Sequence, residues 1–192
     1  MSVAELYTTC RTYRRFHQKP VPLELLKTLV DVAHKRSTGR NYQRLRFIAV
    51  HTPEMVKAMQ PLLFWAASLP KAIGTPVEGE QPTAFIVVLR PKKHDDVVTY
   101  MDIGIALDAM AITAWEQGVG SCIMAAVNRP KVAELLDVPE EYDVAMVLSL
   151  GYPSHKSTIV PARKGQDLDY YVDEKRDYYV PKLELDEVVK VK

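Results

Sequence analysis

Tyr100–Gln117 reads YMDIGIALDAMAITAWEQ and is the longest helix candidate in the sequence. Its apolar residues recur at spacings of three and four, as at Ile103, Leu107 and Met110, which predicts a helix. Further apolar residues, Ile105 among them, occupy the remaining faces. Because a helix that is apolar nearly all round must be buried on nearly all sides, we expect a central helix or one packed against a second subunit.

Outward from this helix, apolar runs alternate with helical stripes. The apolar runs predict three buried strands, at Ala84–Leu89, Cys122–Val127 and Val144–Leu150. A short strand is predicted at Arg46–Val50. Three helices are predicted at Leu23–His34, at Glu54–Leu69, which Pro61 would kink or divide, and at Pro130–Leu136. Pro70–Pro82, with three prolines and two glycines, is expected to be a loop. This alternation favours an α/β or α+β domain.

Composition excludes several classes of protein. The chain has 192 residues and a mass of 21.7 kDa, with 47% hydrophobic and 26% charged residues. These values are ordinary for a globular domain and argue against a collagen, a disordered tail or a disulfide scaffold. The net charge of +1 lacks the basic excess that a general polyanion binder carries.

Two features bear on location. Cys10 and Cys122 match neither a secreted disulfide framework nor a CxxC metal site, so a reducing compartment is the simpler interpretation. Residues 1–10 carry no signal pattern, and Asp102 and Asp108 interrupt the longest apolar stretch. We therefore expect a cytoplasmic protein without a membrane span.

Two basic clusters could meet a phosphate. In Arg11–Arg15, Arg11 and Arg14 would share a face on a helix or turn, and guanidinium groups pair with phosphate oxygens. Pro161–Lys164 holds a second basic pair after a predicted strand and loop. On spacing alone, solvated surface cations explain both clusters as well.

Other clusters give narrower conclusions. Ser37–Gln43 places small polar residues and two amides on the loop after a helix. Such a loop could bind a polar heterocycle, or it could simply end the helix in a turn.

Three other motifs do not support the sites they suggest. Gly118–Cys122 lacks the third glycine of a dinucleotide-binding fingerprint, and it lies between a helix and the next strand, which is the wrong order for that fingerprint. His94–Asp96 is consecutive in a charged loop, which indicates a solvated turn rather than a metal site. No serine has the surroundings of a hydrolase nucleophile.

The order of these clusters resembles the FMN-dependent nitroreductase family over about residues 5–165. The matching segments, in chain order, are Arg11–Phe16, Lys19–Pro22, Thr38–Gln43 with Arg46–Val50, Asp102–Ala106, Gly118–Cys122, Leu150–Pro153 and Arg163-Lys164. The resemblance implies an α+β fold with a mainly antiparallel central sheet wrapped by helices, in an intertwined homodimer. It places FMN at the subunit interface, in a domain over residues 1–164. A C-terminal arm, residues 165–192, would pack on the partner subunit.

The resemblance also implies which residues bind FMN. Arg11, Thr12 and Arg14 would hold the phosphate, the ribityl chain or the pyrimidine edge of the flavin. Arg163, with Lys164, would meet the phosphate.

The flavin ring has its own implied contacts. Thr38 and Asn41 would reach it from the other subunit, while Ala125 and Ala126 would lie along the isoalloxazine with a backbone N–H near N5. The sequence departs from the family pattern at three places. Cys10 stands where the family often has a basic residue, Arg44-Leu45 where it usually has Pro-Trp, and Ala125 where it commonly has Gly or Glu.

The implied activity is electron transfer from NADH or NADPH, through FMN, to a small organic acceptor in ping-pong order. The acceptor would be a nitroaromatic, a quinone or an activated alkene. No catalytic side chain and no metal are expected, because the flavin N5 carries the chemistry. Two alternatives stay open: a non-enzymatic flavin-binding protein, and a lid-dependent flavin reaction such as reductive dehalogenation, with residues 61–82 as the lid and Lys71 as its cation.

Overall fold

The computed structural model describes residues 2–66 and 68–192. Its helices are α1 (Val3–Thr9), α2 (Leu23–His34), α3 (Pro53–Met59), α4 (Lys71–Gly74), α5 (Val97–Glu116), α6 (Arg129–Leu135) and α7 (Leu185–Val188). Its strands are β1 (Phe16–His17), β2 (Arg46–Val50), β3 (Ala84–Pro91), β4 (Gly120–Met124), β5 (Tyr142–Pro153), β6 (Ser157–Ala162), β7 (Tyr171–Val172) and β8 (Tyr178–Leu183). Short 3-10 turns cover Gly39–Asn41 and Gln60–Leu62.

The central sheet is antiparallel and is built around β5. β5 pairs with β3 from Ala84↔Leu150 to Pro91↔Tyr142, and β2 pairs with the other edge of β3. β4 also pairs with β5, from Gly120↔Gly151 to Met124↔Val147, and β1 pairs with the end of β5. The expected mainly antiparallel sheet is therefore confirmed.

Helices cover both faces of this sheet. Alternate residues of β3 point to opposite sides, as in any strand, so one strand contributes to two hydrophobic clusters. Ala84, Ile86 and Val88 pack with α2 and α5, whereas Phe85, Val87 and Leu89 pack with α3 and α6. All six residues are buried, which is why the strand reads as a continuous apolar run.

The central helix α5 buries only one of its apolar faces within this chain. Ile103 and Met110 lie in the core, but Val97, Met101 and Ile105 are exposed on the opposite side. α5 is long and apolar enough to cross a membrane by length and composition alone. Core helices pass the same test, and one face of α5 packs on α2 and the sheet. Its exposed face is suited to a second protein surface.

Two glycines bring the N-terminal segment onto the sheet. A Cβ at Gly120 would lie 2.6 Å from the Tyr13 ring, and one at Gly151 would lie 2.7 Å from the Phe16 ring. The Tyr13 N–H donates to the Ser121 carbonyl at 2.9 Å. Residues 10–16 thus run directly against β4 and β5.

Several sequence predictions are confirmed and others need correction. α2 and β2 have the predicted bounds. The helix predicted over Glu54–Leu69 is wrong beyond Leu62, because Pro61 ends α3 in a 3-10 turn and Leu63 bridges to Val127. The loop at Pro70–Pro82 contains the short helix α4.

Two further corrections concern strands. β4 begins at Gly120 and ends at Met124, so the prediction of Cys122–Val127 was shifted toward the C-terminus. The C-terminal segment is not merely an extended arm, because β8 pairs in parallel with β6 and carries β7 on its other edge. The packing of residues 165–192 on a partner subunit stays a prediction.

Candidate functional site

The basic cluster Arg11–Arg15 is extended rather than helical, because α1 ends at Thr9 and Cys10 has φ −68° and ψ 111°. The helical face predicted for Arg11 and Arg14 is therefore wrong. Arg11 and Tyr13 line an open cavity of about 610 Å³ beside Trp115. Arg14 lines a different cavity, of about 340 Å³.

The cavity at Arg14 combines one cation with an apolar, aromatic wall. It is lined by Arg14, Phe64, Trp65, Ala66, Ser68, the run Cys122–Ala126 and Tyr170. Its volume lies in the range that suits a small-molecule site. Three residues predicted from the sequence, Arg14, Ala125 and Ala126, thus come together here.

The guanidinium of Arg14 is held by aromatic rings and not by a carboxylate. It lies 4.5 Å from the centre of the Tyr170 ring and 5.1 Å from that of Tyr178. Within residues 2–66 and 68–192, no acid pairs with Arg14 and its side chain donates no hydrogen bond to the protein. Its charge and N–H groups therefore remain available to a ligand.

His155 anchors the backbone of Arg14. The Arg14 N–H donates to His155 Nε2 at 3.1 Å, and His155 Nδ1 lies 2.9 Å from the Lys156 carbonyl. This pattern requires a neutral ring with its proton on Nδ1. Burial is the main cause that lowers the pKa of His155 to about 4, which keeps the ring neutral at pH 7.

Ala125 and Ala126, which directly follow β4, line the same cavity. Their carbonyls are occupied: Arg129 donates to the Ala125 oxygen at 2.9 Å, and the Phe64 N–H donates to the Ala126 oxygen at 3.0 Å. Arg129 also donates to the Val144 carbonyl at 3.1 Å. In the part of the chain that the structure describes, neither alanine N–H has a protein acceptor. The backbone N–H groups of Ala125 and Ala126 are therefore available to bind a ligand or water.

Thr38 and Asn41 lie outside the Arg14 cavity. They flank a turn whose Gly39 N–H donates to Asp102 Oδ1 at 2.9 Å, at the side of α5. Gly39 must be glycine there, because a Cβ would lie 2.2 Å from Val98. The turn thus lies beside the exposed apolar face of α5.

Arg163 and Lys164 are also outside the lining of the Arg14 cavity. Arg163 forms ion pairs with Glu184 and, at 3.0 Å, with Asp186, and these pairs raise its pKa. The Lys164 N–H donates to Glu187. Within this chain, the C-terminal acids therefore pair with the guanidinium of Arg163 and with the backbone N–H of Lys164.

Other predicted positions have structural partners. Thr12 is exposed and bridges to Ser121 of β4. Arg44, which departs from the family's usual proline, donates to Asp96 and to Thr99 at 3.1 Å each, and so ties the loop to the start of α5. Leu45 is buried in the core.

Cys122 lines the Arg14 cavity but is not a reactive thiol. Burial raises its pKa to about 11, and the same cause raises the pKa of Cys10 to about 11. Both cysteines are free of disulfides. Because the thiolate is the nucleophile, neither group is activated for attack.

Sequence reasoning missed Tyr170, Tyr178, His155 and Arg129. The tyrosine-rich composition after Pro161 was a signal, but no spacing rule connects Tyr170 to Arg14 across such a distance along the chain. Arg129 was hidden because its partners are backbone carbonyls, which carry no sequence signature.

Comparisons with known proteins identify the family of this chain. Residues 8–152 match the model of the Nitroreductase family. A protein of Archaeoglobus fulgidus named "Putative NADH dehydrogenase/NAD(P)H nitroreductase" is 26% identical over 160 residues, which cover 80% of this chain and 87% of that protein. Iodotyrosine deiodinase of Nematostella vectensis is 21% identical over 184 residues, covering 81% and 70%.

Solved structures share the fold. An FMN-dependent nitroreductase of Clostridium difficile R20291 superposes with a TM-score of 0.66 at 21% identity, covering 87% of this chain and 95% of the other. A nitroreductase family protein of Clostridium novyi NT gives 0.67 at 22% identity, covering 80% and 86%. Since the family match spans well over half of the sequence, this chain belongs to the nitroreductase family and is an oxidoreductase.

Proposed function

We propose that this protein is an FMN-dependent oxidoreductase that takes electrons from NADH or NADPH and passes them to a small organic acceptor. The observation that carries the proposal is the Arg14 cavity. Among residues 2–66 and 68–192, its Arg14 has no carboxylate partner and the N–H groups of Ala125 and Ala126 have no protein acceptor, and aromatic side chains line the same cavity. A planar heterocycle that gains negative charge on reduction fits such a set of groups.

The residues present fit FMN. When bound, FMN supplies the two-electron chemistry, and the protein supplies placement and electrostatics. Arg14 would stabilise the negative charge that reduction adds to the ring. The N–H groups of Ala125 and Ala126 would donate to the flavin. Phe64, Trp65 and the half-exposed Ile123 would contact its apolar part.

Further contacts would complete the site. Thr12 and Arg11 would serve the ribityl chain and phosphate from the same extended segment. Lys164 would contribute its ammonium group to the phosphate, and Arg163 would do so once its guanidinium is released from the C-terminal acids.

A homodimer would bring the remaining contacts. The exposed apolar face of α5 would pack on a second copy, and Thr38 and Asn41 of the partner subunit would then reach the flavin. The domain would cover residues 1–164. The C-terminal arm, residues 165–192, would extend the interface from its place on β6. The free thiols of this chain and its nicotinamide donor fit a cytoplasmic location.

We expect donor and acceptor to use the same face of the flavin. They would occupy it in turn, which is ping-pong order. A nitroaromatic, a quinone or an activated alkene would suit the aromatic wall.

Reductive dehalogenation is the second candidate, because iodotyrosine deiodinases are among the relatives. Phe64 and Trp65, from the expected lid region, do line the cavity. Lys71, the cation expected to recognise a charged substrate, does not line it. Comparing turnover of a halogenated phenol with that of a quinone separates the two activities.

The Arg14→Ala variant tests the site. We expect its affinity for FMN to fall by about 1.5–3 kcal/mol, because a hydrogen-bonded cation is lost. Lys27→Ala is the control, since Lys27 is an exposed cation on α2 that does not line the Arg14 cavity. Isothermal titration of both apoproteins with FMN measures the difference. Equal affinities for FMN in wild type and Arg14→Ala would remove Arg14 from the site.

A further inference from the structure

Tyr170 and Tyr178 lie beyond residue 152, where the family match ends, yet both contact Arg14. We propose that Tyr170 is a positioning residue for Arg14 and that the C-terminal segment completes the flavin site by supplying it. The ring faces of Tyr170 and Tyr178 hold the Arg14 guanidinium in place and leave its N–H groups free. This inference rests on the proposed function.

The geometry defines a corner. The Arg14 guanidinium is 4.5 Å from the Tyr170 ring centre and 5.1 Å from the Tyr178 ring centre, and the two rings are 6.1 Å apart. These distances place the cation between two walls that meet, rather than in a sandwich. One side of the guanidinium therefore stays open toward the cavity, which Tyr170 also lines.

Tyr178 is the rigid wall of this corner. It is 1% exposed, and its ring lies 4.7 Å from that of His155, which also accepts the Arg14 N–H. The buried Tyr178 hydroxyl has no hydrogen-bond partner among the described residues. What Tyr178 contributes here is therefore its ring.

Tyr170 is the second wall, and the segment that carries it is fastened to the body of the protein. Arg176 forms two hydrogen bonds of 2.9 Å with the Glu80 carboxylate. The buried Arg15 donates to the Arg176 carbonyl, and the Lys156 N–H donates to Asp177 at 2.8 Å. These contacts fix the turn that joins β7 to β8, so the position of Tyr170 is defined by long-range contacts.

Aromatic rings hold Arg14 without neutralising its charge, which a carboxylate could not do. A carboxylate beside Arg14 would orient it but would also neutralise its charge and occupy its N–H groups. Ring faces attract the cation without taking its donors. An arginine held in this way keeps its full charge for a ligand that becomes more negative on reduction.

Tyr171 provides a matched control. It is the next residue along the chain, is 51% exposed and stacks on Tyr179 at 5.3 Å. It is absent from the lining of the Arg14 cavity.

The experiment compares FMN affinity and the two-electron midpoint potential of the holoprotein in wild type, Tyr170→Ala, Tyr170→Phe and Tyr171→Ala. We expect Tyr170→Ala to bind FMN about three- to tenfold more weakly, as loss of a cation–π contact predicts. Its midpoint potential should become more negative, because reduced FMN depends more on Arg14. Tyr170→Phe should match wild type, since it keeps the ring, and so should Tyr171→Ala.

The remaining outcomes decide the matter as well. Wild-type affinity and potential in Tyr170→Ala, while Arg14→Ala is impaired, would overturn this inference and leave the proposed function standing. If wild type binds no FMN, both fail. If Tyr170→Ala unfolds, Tyr170→Leu keeps the apolar volume without a π face and should show the same loss. Wild-type behaviour of a folded Tyr170→Leu would overturn the inference.

Discussion

At the scale of single residues, two sets of contacts fix the position of the Arg14 guanidinium. Its backbone is held by a neutral histidine and its side chain by two tyrosine rings. The neutral state of His155 is essential to this arrangement, because a protonated Nε2 could no longer accept the Arg14 N–H. Protonation would also place a third cation beside Arg14 and Arg15.

The pH dependence of stability follows from the pKa of His155. Since burial lowers this pKa from 6.5 to about 4, the unfolded state binds more protons between these values, and the folded state loses stability as pH falls. The free energy of unfolding should therefore fall by roughly 3 kcal/mol more in wild type than in His155→Gln between pH 7 and pH 4. Urea unfolding at both pH values measures this difference.

The exposed His17 supplies the control for this prediction. His17→Gln removes a histidine from the exposed surface and leaves the His155 contacts intact, so it should give the wild-type result in the same measurement. An unchanged pH dependence in His155→Gln would show that His155 is not held neutral by the fold.

Residue roles could be predicted from sequence only where they are local or follow a motif. Arg14, Ala125 and Ala126 were predicted and lie in one cavity. Tyr170 was not, since its contact with Arg14 depends on how the C-terminal segment folds back. Arg11 and Arg14 were predicted to share a face only because the segment was treated as a helix or turn.

At the scale of elements, the close crossing of residues 10–16 over β4 and β5 requires glycine. Gly120 and Gly151 are directly paired in the sheet, and each faces an aromatic ring of the crossing segment. This crossing places Arg14 opposite the end of β4 and hence opposite Ala125.

The Gly151→Ala variant tests this crossing. Its Cβ would lie 2.7 Å from the buried Phe16 ring, so we expect a loss of about 1–3 kcal/mol in the free energy of unfolding. A smaller ring should relieve part of the clash, so the double variant with Phe16→Leu should lose less than the sum of the single losses. Simple additivity in chemical denaturation would contradict the close packing.

Elements with a clear period were predicted well, and those shaped by tertiary contacts were not. α2 carries a regular apolar stripe, and its bounds match the prediction. The segment after Pro61 also has apolar residues at helical spacing. It is nevertheless extended at Leu63, because pairing with Val127 replaces the helical hydrogen bonds. β4 ends early for a related reason: its last predicted residues form the turn that Arg129 fastens.

At the scale of the whole molecule, the exposed apolar face of α5 is the clearest sign of a second subunit. Met101 is 62% exposed and Ile105 is 36% exposed on a helix whose opposite face is in the core. The Thr38–Asn41 turn borders the same face. A dimer through α5 would bury the apolar face and bring that turn to a neighbouring flavin site.

The double variant Met101→Glu/Ile105→Glu tests the dimer. Wild type should have about twice the chain mass of 21.7 kDa in light scattering, and the double variant should approach the mass of one chain, because buried carboxylates oppose association. Its affinity for FMN should fall together with the mass. Val77→Glu is the control, because Val77 is a similarly exposed apolar residue that lies in a loop outside α5. A wild type that is monomeric at micromolar concentration would contradict the dimer.

The proposed activity depends on FMN binding in the Arg14 cavity and on the reduction of that FMN by a nicotinamide. The most direct measurement is an anaerobic absorbance titration of the purified wild-type protein, loaded with FMN, first with NADH and then with NADPH. We predict flavin bands that bleach with at least one donor and return when a quinone is added. Flavin bands that neither donor bleaches would indicate a flavin-binding protein without this activity, and a protein that takes up no FMN would contradict the cofactor itself.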